Sequence, residues 1–169
     1  MPNTNVTIRD SQLLHRREYF FDRLVRGRPI LIPGSGDQIV NIAHAGDNAH
    51  MIALAVGNPA AYGQIFNCVR DKGVTLDGLV HMCAAACGVK ASIVHYDAKA
   101  KGVDAKKAFP FRTEYHFFSE PRAALMLLGW TPKNNLNIDL VERYREYRSS
   151  PRFSQLLAFD KDDDILAKL

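Results

Sequence analysis

Apolar positions recur at helical spacing over 12–26, where Leu13, Leu14, Phe20, Phe21, Leu24 and Val25 stand among arginines and Gly27 is placed to stop the run. Arg28 to Ile32 reads as a short strand, Pro33-Gly34-Ser35-Gly36 as a tight turn and Ile39 to Ala43 as a second strand. Asp47 is placed to cap a helix over 48–56 with Ala49, Ile52, Ala53 and Val56 on one face, and Gly57-Asn58-Pro59 ends it. Gln64 to Val69 is an apolar strand candidate. Thr75 caps the next helix, in which Leu76, Leu79, Val80, Cys83 and Cys87 keep the period and Gly88 terminates.

The strand Ala91 to Tyr96 follows, reading ASIVHY. Ser119 is placed to cap a helix carrying Ala123, Leu127 and Leu128, closed by Gly129, Trp130 and Pro132. Residues 137–148 pattern as an amphipathic helix with Ile138, Val141, Tyr144 and Tyr147 inward and an exposed Asp139–Arg143 pair at i, i+4. A short acidic helix over 162–169 ends the sequence. Short strands alternating with helices predict an α/β chain. Residues 1–15 read as a poorly anchored segment and 16–169 as one domain.

At 169 residues, 47% apolar and 24% charged, the chain is long enough to bury a core. No apolar run approaches the ~20 residues of a membrane helix, so membrane insertion is not expected. MPNTNVTIRDSQ has neither an apolar signal core nor an Arg/Ser-rich amphipathic stretch. The net charge of +4 is compatible with a polyanionic partner. Three cysteines, Cys68, Cys83 and Cys87, point to a reducing compartment and buried thiols, since no second Cys/His pair at ligand spacing completes a metal site.

Several chemistries lack their motifs. A dinucleotide site needs a glycine-rich turn opening a helix, and neither G-x-x-G-x-x-G nor G-x-G-x-x-G occurs. PGSG at 33–36 runs into a strand-like segment instead. There is no Tyr-x-x-x-Lys, no P-loop, no Gly-x-Ser-x-Gly and no HExxH. The six histidines are scattered, and His44 with Asp47 lacks a nucleophile. No catalytic residue, cofactor or metal is expected in this chain.

What remains is charge beside aromatics. Residues 99–112 hold Lys99, Lys101, Lys106, Lys107 and Arg112 against one acid, Asp104, and Phe109, Phe111, Tyr115, Phe117 and Phe118 follow or interleave. Such a segment is either an RNA surface, with cations on phosphates and rings on unpaired bases, or a solvated loop over buried aromatics. Arg16, Arg17, Arg23, Arg26 and Arg28 form a second basic strip, and Arg143, Arg145, Arg148 and Arg152 a third. Asp160, Asp162, Asp163 and Asp164 read as charges favoured at a helix N-terminus.

The segment EYFFDRLVRGRPILIPGSGDQIVNIAHAGDNAHMIALAVGNP at 18–59, QIFNCVRDKGVTLDGL at 64–79 and the closing LGWTP at 128–132 resemble the second half of extended short-chain dehydrogenases/reductases, the NAD-dependent epimerase/dehydratase superfamily. The stretch IVHYDAKAKGVDAKKAFPFRTEYHFFSEPRAALMLLGW at 93–130 is most similar to the chloroplast stem-loop-binding RNA proteins. Ala45, Gly46 and Asn48 depart from that pattern, and residues 1–15 do not match it. The resemblance implies a Rossmann-like fold without its dinucleotide-binding half, and RNA binding in the plastid. It also implies association with ribosomes or transcription complexes, a metal-assisted ribonuclease activity elsewhere in the family, and a protein partner or oligomer covering the missing sheet. The alternative is the substrate lobe of a sugar-nucleotide epimerase or dehydratase whose cofactor lobe lies outside this chain.

Overall fold

The computed structural model describes the backbone of residues 11–169 and the side chains from Glu18 onward. Expectations for residues 1–10, and for the side chains of Arg16 and Arg17, lie outside the described residues. The centre is a parallel pair, β1 (Ile30–Pro33) beside β4 (Ile93–Tyr96), in register Ile30↔Ile93 through Pro33↔Tyr96. All four β1 residues are buried, the continuous apolar run of a strand covered on both faces. An antiparallel pair, β2 (Ile39–Val40) and β3 (Val74–Thr75), lies in a second sheet, and Val40 also bridges to Phe117.

Helices α1 (Ser11–Leu24), α3 (Leu76–Cys87) and α6 (Leu136–Ser149) pack on one another around Phe20, Phe21, Ile30, Ile32, Leu76, Leu79, Val80, Leu140 and Tyr147. Thr75 accepts from the Gly78 amide, and Gly88 closes α3 at φ +70°, a conformation that only glycine adopts without strain. A second cluster joins α2 (Ala45–Ala55), the 3-10 turn Pro59–Ala61 and α5 (Arg122–Leu128) through Met51, Cys68, Ala124, Leu128 and Trp130. A third holds α8 (Asp160–Leu166) over Leu31 and Tyr96 through Ile165. The short helices α4 (Ala105–Ala108) and α7 (Pro151–Ser154) complete the order.

The structure corrects several local expectations. His44, not Asp47, caps α2, its Nδ1 accepting from the Gly46 amide at 3.0 Å. Asp47 sits one turn in and is buried, where it accepts from the Lys133 amide at 3.0 Å and from Asn134 Nδ2 at 2.8 Å. The face of α2 expected inward is outward: Ala49, Ile52, Ala53 and Val56 are exposed, and Asp47, Asn48 and Met51 are buried. Residues 64–69 form no strand, because no described strand lies beside them to complete a ladder. Helix α5 begins after Pro121 without a side-chain cap, and the Ser119 amide is held by Asn41 instead. In α6, Ile138 faces solvent, and Asp139 is buried against Arg70 rather than paired with Arg143, which bonds Glu146 at 2.6 Å.

Candidate nucleic-acid interface

The basic segment leaves the carboxyl end of β4 through a tight turn. Asp97 Oδ1 accepts from the Ala100 amide at 3.0 Å, the Lys101 amide bonds the Asp97 carbonyl at 3.1 Å, and Gly102 takes φ +64°. Asp104 then caps α4 by accepting from the Lys106 amide. This geometry leaves Lys99, Lys106, Lys107 and Arg112 exposed. Lys107 Nζ approaches the Asp104 carboxylate at 3.6 Å but stays 80% exposed, a pairing worth little in water. Lys101 is half-buried, and its ammonium donates to the Lys168 carbonyl beyond α8.

The aromatics of the segment divide into two groups. Phe109 is buried edge-on to Tyr19, ring centroids 5.6 Å apart, and Phe111 stacks on Phe20 at 6.0 Å. These two rings anchor the segment to the core, and Phe111 is turned inward rather than toward a base. Tyr115, Phe117 and Phe118 are 49%, 53% and 51% exposed. Their backbone is held against β2: the Phe117 amide donates to the Ile39 carbonyl at 2.8 Å, the Asn41 amide to the Phe117 carbonyl at 3.1 Å, and the Ile39 amide to His116 Nδ1 at 3.0 Å. Exposed rings on a fixed backbone lose little conformational freedom when a base stacks on them.

A cleft of about 780 Å³ opens where β1 and β4 end, between Pro33–Gly34, His95–Lys99 and Thr113–Glu114. That is the position at which open α/β sheets receive ligands, outside the carboxyl ends of the strands. On its rim His95 Nε2 lies 2.9 Å from Asp77 Oδ1.

The described arginines of the second strip, Arg23, Arg26 and Arg28, are engaged internally. Arg23 forms a two-pronged bond to Asp162 at 2.7 and 2.9 Å and lies 3.4 Å over the Tyr19 ring. Arg28 bonds Asp163, and both guanidinium groups approach the Phe159 ring. Arg26 donates to the carbonyls of Asp22 at 3.0 Å and Gln155 at 2.9 Å and to the Tyr147 hydroxyl at 2.9 Å. In the third strip, Arg152 bonds the buried Asp22 carboxylate at 2.6 Å, which also accepts from Tyr147 at 2.9 Å. The acidic residues of α8 thus serve as partners for α1 as well as charges at a helix N-terminus. These pairs join residues more than a hundred positions apart. For the Arg23 and Arg28 pairs the only sequence signal is the match between these arginines and the aspartates spaced along α8; Asp22–Arg152 has none.

Among the described residues, titratable groups do not gather into a catalytic set. Burial pushes the Cys87 thiol up to about 12, and burial followed by the nearby Asp47 carboxylate pushes Cys68 up to about 11. Tyr19 and Tyr96 are raised by the same desolvation. Thiols shifted this way are poor nucleophiles. Among the described residues, no three His, Cys, Asp or Glu side chains are arranged to hold a metal ion. The residues do not fit a dinucleotide either. PGSG opens into β2 rather than a helix, and a Cβ at Gly36 would fall 1.9 Å from Asp77 Oδ1, so α3 and its carboxylate already fill the turn.

No family model matches the chain. Over 152 residues it is 41% identical to the chloroplast stem-loop binding protein of 41 kDa b from Arabidopsis thaliana, a match covering 89% of this chain and 40% of that protein. The dTDP-glucose 4,6-dehydratase of Bacillus anthracis, solved with NAD, superposes at a TM-score of 0.63 and 13% identity over 80% of this chain and 39% of its own. For the UDP-glucuronic acid 4-epimerase of Bacillus cereus, also solved with NAD, the values are 0.60, 14%, 79% and 38%. For Pal from Bacillus thuringiensis they are 0.62, 18%, 88% and 42%. At such identities the likeness is one of fold, and it makes this chain a partial Rossmann-like α/β unit. The chain spans about two fifths of the length of the relatives it matches. Over most of its length the chain is thus similar to a chloroplast stem-loop binding protein, and its fold is that of about two fifths of these epimerases and dehydratases.

Proposed function

We propose that this chain is an RNA-binding protein of the plastid that acts as a non-catalytic module or scaffold in a larger assembly, such as a ribosome or transcription complex. A name that states both stem-loop binding and the chloroplast, borne by a relative 41% identical, supports the compartment and the ligand class. The observation that carries the site is the alignment of exposed Lys99, Lys106, Lys107 and Arg112 with exposed Tyr115, Phe117 and Phe118 on one anchored segment. Phosphates of a hairpin run along the cations, and unpaired loop bases meet the rings and the cleft beside Lys99. Lys101 contributes charge at the edge, whereas Arg23 is committed to Asp162. Arg16 and Arg17 belong to the proposed set by their place in the sequence. Residues 16–169 act as one domain in this reading, with a protein partner or oligomer on the surface away from the RNA.

The test is a salt titration of binding to a hairpin RNA and to its duplex stem. Each neutralised single-strand phosphate contributes about 0.7 to the slope of log affinity against log salt. Changing Lys106 and Lys107 together to Ala is expected to weaken binding for all sequences and to flatten the slope by about one to two units. An unchanged slope removes the basic segment from the interface.

A further inference from the structure

Helix α8 carries four aspartates in seven residues, and two of them are spent on arginines. Asp162 is buried and takes both prongs of the Arg23 guanidinium, and Asp163 bonds Arg28. Phe159, the residue before the helix, has its ring 5.2 Å from the Arg23 guanidinium and 4.9 Å from that of Arg28. On its other flank α8 meets the basic segment: Ile165 and Leu166 pack with Ala98, Val103 and Ala108, and the Lys101 ammonium donates to the Lys168 carbonyl. The acidic helix thus stands between two basic stretches, touching cations of both.

A guanidinium fork grips a phosphate in the same two-pronged geometry as a carboxylate. Phe159, Asp162 and Asp163 together offer these arginines a π face and anionic oxygens, which is what a nucleotide offers. The helix is also built to open. Seven residues are too few to hold a helix in isolation, and Phe159 supplies no side-chain cap. Of its apolar side chains Ile165 is buried and Leu166 half-buried. The segment leading into it is free to swing: Leu156 is 98% exposed, and Leu156–Ala158 enter no backbone–backbone hydrogen bond among the described residues. Beneath the helix the Tyr96 hydroxyl is buried without a partner, a cost carried by the closed arrangement.

We propose that Arg23, Arg28 and Lys101 form a second phosphate-binding surface, adjoining the basic segment, and that α8 is its resident occupant, displaced when RNA binds. This rests on the RNA reading above and adds a regulation of that site. Phosphates must replace two carboxylates, so the apparent affinity is lowered by the fraction of chains in which α8 is closed.

The experiment measures hairpin RNA binding against salt on the full chain and two double variants. Asp162→Asn with Asp163→Asn is expected to tighten binding about tenfold at low salt and to steepen the salt slope by about 1.4, for two further phosphates at about 0.7 each. Asp160→Asn with Asp164→Asn removes the same charge from exposed aspartates that bond no described arginine, and is expected to leave the slope unchanged. Adding Arg23→Ala and Arg28→Ala to the first pair is expected to return the slope to that of the unsubstituted chain. Amide exchange on the unsubstituted chain reads displacement directly. Amides of 162–167 are expected to exchange about tenfold faster in the RNA complex than in the free chain, the reverse of the slowing that a ligand bound over a closed α8 produces. Should the first double variant fail to fold, this measurement decides alone. Equal slopes in both double variants, or α8 amides slowed or unmoved by RNA, overturn the proposal. If the slope still depends on Lys106 and Lys107, the RNA reading survives that outcome; if no variant binds the hairpin, both readings fall.

Discussion

Removing the Asp139 carboxylate strands the Arg70 guanidinium in a site where both side chains are below a tenth exposed. Arg70 would keep only the carbonyls of Ile42 and Asn134. Losing one partner of a buried pair costs about 3–5 kcal/mol, so Asp139→Ala is expected to lower the urea midpoint by that equivalent. Arg143→Ala, which breaks a solvent-exposed pair with Glu146, is expected to cost less than about 1 kcal/mol. Local spacing predicts the opposite ranking, because Asp139 and Arg143 stand four apart on one helix. The true partner of Asp139 lies 69 positions away and is invisible to any rule about neighbours.

The cysteines add a pH dependence at the same scale. Burial raises Cys87 to about 12 and Cys68 to about 11 from an ordinary 9.0. Above pH 9 the unfolded chain loses these protons while the folded chain keeps them, so the unfolded state binds fewer protons and stability falls as pH rises. Below pH 9 both states hold them and the term vanishes. The thermal midpoint is therefore expected to decline from about pH 9 upward, less steeply in Cys87→Ala, and native thiols are expected to resist alkylation at pH 8 until the chain unfolds.

Elements were legible where the punctuation was local. Thr75 and Gly88 bound α3 as their residue types require, and the apolar run ILIP became the buried strand β1. Elements whose burial depends on a distant surface were misread. Periodicity located α2 but assigned its apolar stripe inward, and IFNCV has strand composition without a strand to pair with. The segment 109–118 shows the same division within ten residues. Its composition does not say which rings anchor and which face out. Phe111→Ala removes a ring stacked on Phe20 in the core and is expected to cost about 3–5 kcal/mol at full burial, less here because Phe111 is half-buried. Tyr115→Ala is expected to leave the melting temperature within about 1–2 °C and to weaken hairpin binding by about 1–3 kcal/mol while sparing the duplex stem. Thermal melts and paired binding curves on both variants decide whether the exposed rings, and not the buried ones, meet RNA.

At the scale of the whole molecule, the exposed cations of 99–112 and the exposed apolar side chains of α2 and α5 stand on different elements. Ligands that bind only the folded state raise its stability by RT ln(1 + [L]/Kd), about 2.7 kcal/mol at a hundredfold excess over Kd. A hairpin RNA at that excess is expected to raise the melting temperature by on the order of 5–10 °C for a chain of this size. Because the affinity comes from phosphate contacts, the shift is expected to shrink as salt rises from about 50 to about 200 mM. NAD and NADP at millimolar concentration are expected to give no shift, since the PGSG turn is filled by Asp77 and opens no helix onto a pyrophosphate. The two outcomes discriminate the readings of this fold. A salt-sensitive hairpin shift with none from dinucleotide is the behaviour of an RNA-binding module. A salt-insensitive NAD shift would instead identify the chain as a substrate lobe that retains part of a cofactor site, and would overturn the RNA assignment if the hairpin left the melt unchanged.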